Sequence, residues 1–339
     1  MNKSTTLIAG GAGYIGSTLV NFLLKKNHKV ICLDNLVYGK KSIIPFLKKK
    51  NFIFIKQDIR DYKKVKKIFS TYKIDYVVNL AAIVGDKQCK TISKIAYDTN
   101  FNGNTNLFNS AQECSVKKYI FASTCSNYGI AKSNGYVDEK SKLNPVSLYA
   151  ESKIDSENFL LSQINKNLEI LILRFATAFG VSFRTRFDLT LNSFTYEAIK
   201  NKKVGVFAKD TWRPYVHVKD IARIIYFAII NKKKNNNIIF NAGFTKSNLT
   251  KEDLAKKIVN ILPKTSLNFD PNITDLRTYK VSFRKLENTF NIKQKYSIDF
   301  GIKEILLNIK KKLLTENEIK NNYLDRNCLN LLRFYKNEN

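Results

Sequence analysis

The chain has 339 residues, of which 44% are hydrophobic and 25% charged, and its net charge at pH 7 is +30. This length allows a large buried core, and the composition is that of a globular protein rather than a disordered or fibrous one. No apolar run is long enough to span a membrane, and no signal peptide is evident. The five cysteines are odd in number and lack metal-ligand spacing, which predicts a cytoplasmic protein without a bound metal.

The large positive charge raises the question of a nucleic-acid partner. Such a partner would require lysines and interleaved aromatic residues concentrated along one stripe. Here short lysine clusters, such as 48–50 and 310–312, are spread over predicted helix ends and loops. We therefore expect solvated surface lysines and no nucleic-acid partner, although a positive field would speed the capture of an anionic substrate.

The beginning of the chain predicts a phosphate-binding turn. Residues 5–9 form an apolar, β-branched run typical of a buried strand, and residues 14–26 show helical spacing. The backbone amides and the dipole at such a helix N-terminus favour a phosphate group. Glycines are needed between strand and helix, because a Cβ would keep a pyrophosphate away from the backbone. The residues expected at this turn are Gly10, Gly13, Tyr14, Ile15 and Gly16.

An acidic residue ends the second apolar run. Asp34 follows the run 29–33 and lies eighteen residues beyond Gly16. A carboxylate at this place can accept hydrogen bonds from both ribose hydroxyls of an adenosine and would repel a 2′-phosphate. The sequence therefore predicts NAD rather than NADP. Lys40 and Lys41 are the residues that would favour NADP.

Strand and helix signals alternate through the first half of the chain. The next predicted strands are 51–55, 75–80, 118–122 and 168–173, and the helices between them end near 69 or span 91–114 and 147–163. This alternation implies an α/β fold of the Rossmann type, a doubly wound parallel sheet with helices on both faces. Such sheets bind ligands beyond the carboxyl ends of their strands.

The pattern becomes shorter and more mixed after residue 180. We expect a Rossmann domain at 1–180, to which the segment 216–240 returns. A smaller, mixed α/β substrate-binding domain is expected from 181–215 and 241–312. The tail 313–339 gives no functional signal.

A second motif has the composition of a catalytic site. Tyr149 and Lys153 are four residues apart on a predicted helix and share one face. A lysine ammonium near a phenol lowers the phenol's pKa from its usual value of about 10, which yields a general base near neutral pH. The pair alone is a weak signal, since a surface pair has the same spacing. The stretch FASTCSNYG, which contains Thr124, adds hydroxyl groups just after a predicted strand.

These motifs resemble those of the extended short-chain dehydrogenases/reductases, in the branch of NAD-dependent epimerases and dehydratases that act on nucleotide sugars. The resemblance covers about 6–312 and is carried by the stretches GGAGYIGS, DNLVYGKKS, QDIRD, NLAA, FASTCSNYG, PVSLYAESK and RPYVHVKD. It implies NAD as cofactor and a nucleotide-diphosphate sugar as substrate. It also implies a homodimer, in which the helices of Asn100 and Tyr149 pack against their mates as a four-helix bundle.

The resemblance assigns roles to individual positions. Thr124, Tyr149 and Lys153 match the catalytic triad, with Thr where Ser is commoner, and Lys153 would also hold the nicotinamide ribose. The further cofactor contacts that it implies are Asn35, Asp58, Ile59, Leu80, Ala81, Ala82 and Asn100, of which Asp58 and Ile59 would flank the adenine. Substrate contacts are expected at Thr124, at Arg213 and Tyr215 for the nucleotide, and at Gly85, Asp86, Arg184, Arg186 and Asn192 for the sugar or phosphate. For the charged residues among the last five, a solvated loop charge is the alternative.

The family chemistry begins with oxidation at carbon 4 of the sugar. The 4,6-dehydratases of the family carry an Asp-Glu pair directly after the catalytic Thr, whereas this chain has Cys125 and Ser126 there. The two histidines, His28 and His217, are expected to be structural. We therefore expect a 4-epimerase or a 4-dehydrogenase of surface-polysaccharide sugar synthesis, similar to UDP-glucose 4-epimerases or to a bacterial group of nucleotide-sugar 4-dehydrogenases. The alternatives are a 4,6-dehydratase and a non-catalytic member that binds NAD or nucleic acid.

Overall fold

The structure is a computed structural model that describes residues 4–131, 135–164, 168–231, 238–272, 275, 277–315, 319, 331 and 333–335. Within these residues the strands are β1 Thr5–Ala9, β2 Lys29–Asp34, β3 Phe52–Lys56, β4 Tyr76–Asn79, β5 Lys118–Thr124, β6 Tyr136–Val137, β7 Glu169–Phe175, β8 Thr177–Phe179, β9 Lys203–Phe207, β10 Trp212–His217, β11 Ile239–Ala242, β12 Asn248–Thr250, β13 Ser266–Asp270 and β14 Lys280–Val281.

The α-helices are α1 Tyr14–Lys25, α2 Tyr62–Thr71, α3 Asp86–Thr91, α4 Ser93–Tyr97, α5 Gly103–Glu113, α6 Leu148–Leu161, α7 Thr190–Asn201, α8 Val218–Ile230, α9 Lys251–Ile261, α10 Arg284–Thr289 and α11 Ile298–Lys310. Short 3-10 segments lie at Lys41–Phe46, Cys125–Tyr128 and Thr245–Ser247, and a π-helical turn lies at Asp98–Asn102. No helix in the described ranges is long and apolar enough to cross a membrane.

The main sheet has seven parallel strands in the order β11-β7-β5-β4-β1-β2-β3. One apolar cluster includes α1 and α8, and another includes α2 and α5, so strands such as β1 are buried along their whole length. The Rossmann-type fold expected from the alternating pattern is therefore confirmed. The order in which strands are added to the sheet reverses at β1, so the carboxyl ends of β1 and β4 open a crevice.

A second layer of short strands and helices covers part of this edge. Strands β12, β10 and β8 form a small sheet, and β13 pairs with β9. Helices α7, α9 and α11 pack around a separate apolar cluster that contains Phe187, Leu254 and Ile302. The predicted limit between 240 and 241 falls inside β11, which pairs with β7 in the main sheet. The division into two domains stays a prediction.

The helix predicted at 91–114 is not uniform. A first α-helical piece, α4, leads into the π-helical turn Asp98–Asn102, and α5 continues from Gly103. The turn directs Thr99 and Asn100 inward, where both side chains are buried. Single π-helical turns of this kind often occur at functional sites.

Candidate active site

The turn after β1 has room for a phosphate only because it lacks side chains. Gly10 has a φ of +78°, and a Cβ there would lie 2.7 Å from the backbone nitrogen of Ala81. A Cβ on Gly16 would lie 2.1 Å from the carbonyl oxygen of Gly10, so α1 starts directly against the turn. Gly13 begins α1 without a side-chain cap, and the first amides of the helix remain available to an anion.

A cavity extends from this turn along the carboxyl ends of β1, β2 and β4. It is lined by Gly10, Ala12, Gly13, Leu33, Asp34, Asn35, Val37, Tyr38, Gly39, Gln57, Asp58, Ile59, Leu80, Ala81, Ala82, Ile83, Thr99 and Tyr335. Most of the predicted cofactor contacts are therefore brought to one cavity. The Oγ1 atom of Thr99 is buried without a hydrogen-bond partner among the described residues. The glycine turn, the uncapped helix and this orphaned hydroxyl fit a dinucleotide.

Asp34 lies at the end of β2 beside the turn. Its carboxylate accepts hydrogen bonds from the backbone amides of Ala12 and Leu36, at 3.0 and 2.8 Å. Burial raises the pKa of the Asp34 carboxyl, and the two backbone bonds act against that rise. The carboxylate is therefore held in one orientation at the edge of the cavity, where an adenosine ribose is expected.

Asp58 and Asn35 form the next part of the wall. The Asn35 amide donates to Asp58 at 3.2 Å, and Arg60 donates to the same carboxylate through Nε and Nη2 at 3.1 and 2.9 Å. Burial alone would raise the pKa of Asp58, but the hydrogen bonds from Arg60 keep it below its usual value. The neighbouring Ile59 is buried against Gly103 of α5, where any Cβ would lie 2.6 Å from the isoleucine side chain.

Two predicted cofactor residues face away from the cavity. The Tyr14 phenol is buried and donates to the carbonyl of Gly180 at 2.7 Å. Ile15 packs against the apolar core below the sheet. Only the backbone amides of these two residues remain for a phosphate, because each side chain is committed to packing.

The predicted catalytic side chains lie at the ends of β5 and α6. Thr124 ends β5, and its hydroxyl accepts a hydrogen bond from the backbone of Ser126 at 3.1 Å. Tyr149 lies in the first turn of α6, in the same apolar cluster as Ile83 and Tyr38 of the cavity wall. Burial raises the pKa of the Tyr149 phenol above its usual range, while a hydrogen bond with Thr124 acts in the opposite direction.

Lys153 has a different effect from the one expected. Its Nζ donates to the carbonyl of Ala122 at 2.9 Å and lies 6.0 Å from the centroid of the Tyr149 ring. Burial lowers the pKa of Lys153 to about 8. The expected net lowering of the Tyr149 pKa is therefore wrong for the protein without cofactor, because burial of the phenol dominates.

Asn100 supports the wall rather than pointing into the cavity. Its amide pairs with both backbone groups of Ile83, at 2.8 and 3.0 Å, and also donates to Ser152 of α6 at 3.1 Å. The side chain is 2% exposed. Asn100 thus joins the loop after β4 to the helix that carries Tyr149.

A buried ion pair lies behind the same helix. Glu157 of α6 and Arg174 of β7 meet through Arg174 Nη2 at 2.6 Å, and their side chains are 2% and 4% exposed. The Glu157 carboxylate also accepts hydrogen bonds from Ser123 and from Asn127, the latter at 3.0 Å. Arg174 donates further to the Tyr128 hydroxyl at 3.2 Å. This network joins α6 to β5, to β7 and to the turn after Thr124.

A cluster of charges at the edge of the second layer includes residues that the sequence analysis missed. Arg213 donates to Asp275 at 2.7 Å, and Lys251 lies 3.3 Å from the same carboxylate. Arg277 donates to Asp275 at 2.9 Å and to Asp86 of α3 at 2.6 Å. Asp86, which follows Gly85, and Arg213 were expected here, but Lys251, Asp275 and Arg277 were not. Lys251 begins α9, whereas Asp275 and Arg277 lie outside helices and strands, and no local motif marks any of the three as a site residue.

The loop 181–188 supplies two further arginines. The Cζ atom of Arg184 lies 3.8 Å from the Tyr38 ring centroid, and burial lowers the pKa of this arginine to about 10. Arg186 forms a bidentate ion pair with Asp188, with hydrogen bonds of 3.0 and 2.6 Å. Its charge acts to lower the pKa of the Tyr149 phenol, against the effect of burial. Neither arginine is a freely solvated loop charge.

Two predicted substrate contacts are fully buried. The Asn192 amide accepts from the backbone of Gly180 at 3.0 Å and donates to the carbonyl of Arg186 at 2.8 Å. Tyr215 is 0% exposed in the apolar cluster of the second layer. Asn192 shapes the loop that carries Arg186, whereas the buried Tyr215 hydroxyl has no hydrogen-bond partner among the described residues. The substrate contacts expected at both residues stay predictions.

Cys125 and the two histidines have contacts typical of structural residues. Cys125 is 1% exposed, its thiol donates to the carbonyl of Arg174, and burial raises its pKa. His217 is buried and bonds to Glu304 at 3.0 Å, while His28 bonds to Ser4. These contacts agree with the structural roles expected for the two histidines.

Comparisons with known proteins point to one family. A family model described as "NAD dependent epimerase/dehydratase family" matches residues 6–243. A dTDP-D-glucose 4,6-dehydratase of Dictyostelium discoideum is 34% identical in an alignment 275 residues long, which covers 75% of this chain but only 61% of that protein. A UDP-glucuronate 4-epimerase of Thermodesulfobacterium geofontis is 29% identical over 311 residues, covering 88% of this chain and 93% of that protein. The solved UDP-glucose 4-epimerase of Thermotoga maritima with UDP-glucose is 27% identical, with a TM-score of 0.80 over 91% of this chain and 99% of its own.

Proposed function

Because the chain belongs to the NAD-dependent epimerase/dehydratase family, we propose that it oxidises carbon 4 of a nucleotide-diphosphate sugar and changes no other carbon. NAD is its cofactor, and the chain is an enzyme. One observation carries the choice of carbon 4. Thr124 and Tyr149 are in contact beside the cofactor cavity, and Cys125, which is buried, and Ser126 stand where a dehydratase would carry two carboxylates.

In this proposal Tyr149 removes the proton from the sugar hydroxyl at carbon 4. Thr124 binds the same oxygen and shares its hydrogen bond with the phenol. Bound NAD supplies a hydride acceptor, and its positive charge favours the phenolate. Since burial by protein alone raises the pKa of Tyr149, the phenol keeps its proton until cofactor and substrate enter.

The two residues that follow Thr124 support simple oxidation and reduction, because neither Cys125 nor Ser126 carries a carboxylate. Elimination of water needs a group that protonates the departing hydroxyl. Cys125 is turned into the core, and the carboxylate of Glu157 is committed to Arg174. The chain is nevertheless 34% identical to a protein named as a 4,6-dehydratase, so this alternative is tested below.

The charge cluster supplies a site for the diphosphate. Arg213, Arg277 and Lys251 share the single carboxylate of Asp275, with Asp86 as a second partner of Arg277. Three cations against two carboxylates leave an excess of positive charge, which favours a diphosphate. Arg186, close to Tyr149, is then placed to contact the sugar.

The proposal includes a homodimer. Tyr97, Phe101 and Phe159 form a partly exposed aromatic row across α4, the π-helical turn and α6, with ring centroids 5.5 and 6.4 Å apart. These are the helices that the family resemblance places in a four-helix bundle. Sedimentation at micromolar concentration is expected to give twice the chain mass, and a monomer would contradict the proposal. A cytoplasmic location, expected from the cysteines, belongs to the same proposal and is checked by cell fractionation.

The function is tested by incubating the protein with UDP-, GDP-, CDP- and dTDP-sugars and following the mixture by NMR and mass spectrometry. Inverted carbon 4 at unchanged mass identifies an epimerase. Loss of two hydrogens with formation of NADH identifies a dehydrogenase. Loss of water would establish the dehydratase alternative, and no change with any sugar would favour a non-catalytic member that binds NAD or nucleic acid.

A further inference from the structure

The C-terminal part of the chain reaches the cofactor cavity. Tyr335 is 4% exposed and lines the cavity together with Gly10 and Asp34. Its hydroxyl accepts a hydrogen bond from Nδ2 of Asn35 at 3.3 Å, and the Cζ atom of Arg60 lies 4.9 Å from the centroid of its ring. A residue 300 positions beyond Asn35 is thus part of the cavity wall.

These contacts lie at one end of the cavity. The Asn35 amide that meets Tyr335 also donates to Asp58, and Arg60 holds that carboxylate from another side. Asp58 and Ile59 are the residues expected to flank the adenine. The ring of Tyr335 therefore lies at the adenosine end of the cavity.

Apolar packing anchors the segment independently of these polar contacts. Leu331, one helical turn before Tyr335, is fully buried. It packs with Ile83, Cys89, Ile92 and Ala96, and Phe334 lies against the same cluster. Leu331 and Tyr335 are therefore buried members of one cluster on the main body, with Phe334 partly buried beside them, and Arg60 lies against the ring of Tyr335.

We propose that Tyr335 is a cofactor-site residue whose ring covers the adenosine end of bound NAD and slows its exit. An aromatic ring offers a flat apolar surface to an adenosine, and its hydroxyl fixes the Asn35 amide. The inference rests on the proposed function and deepens it. A 4-epimerase takes the hydride and returns it within one turnover, so it needs no cofactor exchange, whereas a dehydrogenase must release the reduced cofactor each time.

The test is the exit rate of NADH from the full-length protein, measured by displacement with excess NAD in a stopped-flow fluorimeter. Tyr335→Leu keeps an apolar side chain but removes the ring and the hydroxyl, and we expect exit about tenfold faster or more. Tyr335→Phe removes one neutral hydrogen bond, and we expect exit about two- to tenfold faster. Arg333→Ala, at an exposed position of the same segment, is the matched control and should leave the rate unchanged.

Binding of ADP-ribose distinguishes an effect at the adenosine end of the cavity from a general loosening of the protein. Its affinity should fall in Tyr335→Leu by a factor similar to that for NADH, because both share the adenosine. Exit rates within twofold of wild type in both Tyr335 variants would overturn the proposal, as would unchanged ADP-ribose affinity in Tyr335→Leu. No sugar is present in these measurements, so they stand or fail separately from the carbon-4 chemistry.

Discussion

Glu157→Gln should destabilise the protein strongly, although Glu157 touches no ligand in the proposed mechanism. The substitution keeps the size of the side chain and removes its charge. The guanidinium of Arg174 is then left in the interior without a counter-ion, at a site where its side chain is 4% exposed. In addition, the new amide nitrogen meets a hydrogen-bond donor in either orientation, because Ser123 and Asn127 donate to one carboxylate oxygen and Arg174 to the other.

The size of the effect follows from the burial of the pair. Removing one partner of a buried, hydrogen-bonded ion pair costs about 3–5 kcal/mol. The free energy of unfolding of a folded protein is only about 5–15 kcal/mol, so this loss is a large fraction of the total. Arg174→Met should cost a similar amount, because it leaves the Glu157 carboxylate uncompensated. The double variant should cost less than the sum, with a coupling of at least about 1 kcal/mol.

Urea unfolding followed by circular dichroism measures these differences, with an unchanged dependence on urea concentration as the check that the same surface unfolds. Glu151→Gln, an exposed position on the same helix, is the control and should stay within about 0.5 kcal/mol of wild type. A loss below about 1 kcal/mol for Glu157→Gln would refute the reasoning. So would strict additivity in the double variant, because it would mean that the two charges do not depend on each other.

Tyr149→Phe should abolish product formation while NAD stays bound, and Thr124→Ala should slow turnover by roughly a hundredfold; rapid turnover in Tyr149→Phe would place the base elsewhere. Gly16→Ala should abolish NAD binding in a fluorescence titration, because the new Cβ would lie 2.1 Å from the Gly10 carbonyl oxygen, and normal affinity would contradict that geometry. Despite its burial, hydrogen bonding from Arg277 and the nearby cations lower the pKa of Asp275 from 3.8 to about 2. The lowered pKa stabilises the folded protein by about 2 kcal/mol above about pH 4, and this stabilisation is lost as the pH falls toward about 2. The free energy of unfolding of Asp275→Asn should therefore depend less on pH than that of the wild type across this interval.

The main sheet and the glycine turn could be predicted because their signals are local. Glycine is required at 10 and 16 because a Cβ there would clash with the neighbouring backbone, and Asp34 is recognised because it is the last residue of an apolar strand. Such constraints are visible in a few consecutive residues. The relative placement of β1, β2 and β4 then follows from the general behaviour of parallel sheets.

The remaining parts of the site depend on contacts between distant segments. Nothing around Tyr335 distinguishes it in the sequence, because its partners Asn35 and Arg60 are far away along the chain. Asn192 and Tyr215 have residue types suited to binding, but tertiary packing buries both. The effect of Lys153 on Tyr149 was misjudged for a similar reason. Helical spacing places the two residues on one face, but it does not show that the ammonium bonds to Ala122.

The π-helical turn at Asp98–Asn102 makes the number of residues in this segment part of the site. A π-helical turn contains more residues than an α-helical turn, so it changes the angle at which the two flanking helices present their side chains. Winding these five residues as ordinary α-helix would rotate α4 by about 100° relative to α5, because one extra residue advances an α-helix by that angle. The Asn100 amide would then leave Ile83 and Ser152, although no contact residue had been replaced. The wider turn therefore accommodates one extra residue while it keeps the flanking helices aligned with the catalytic helix.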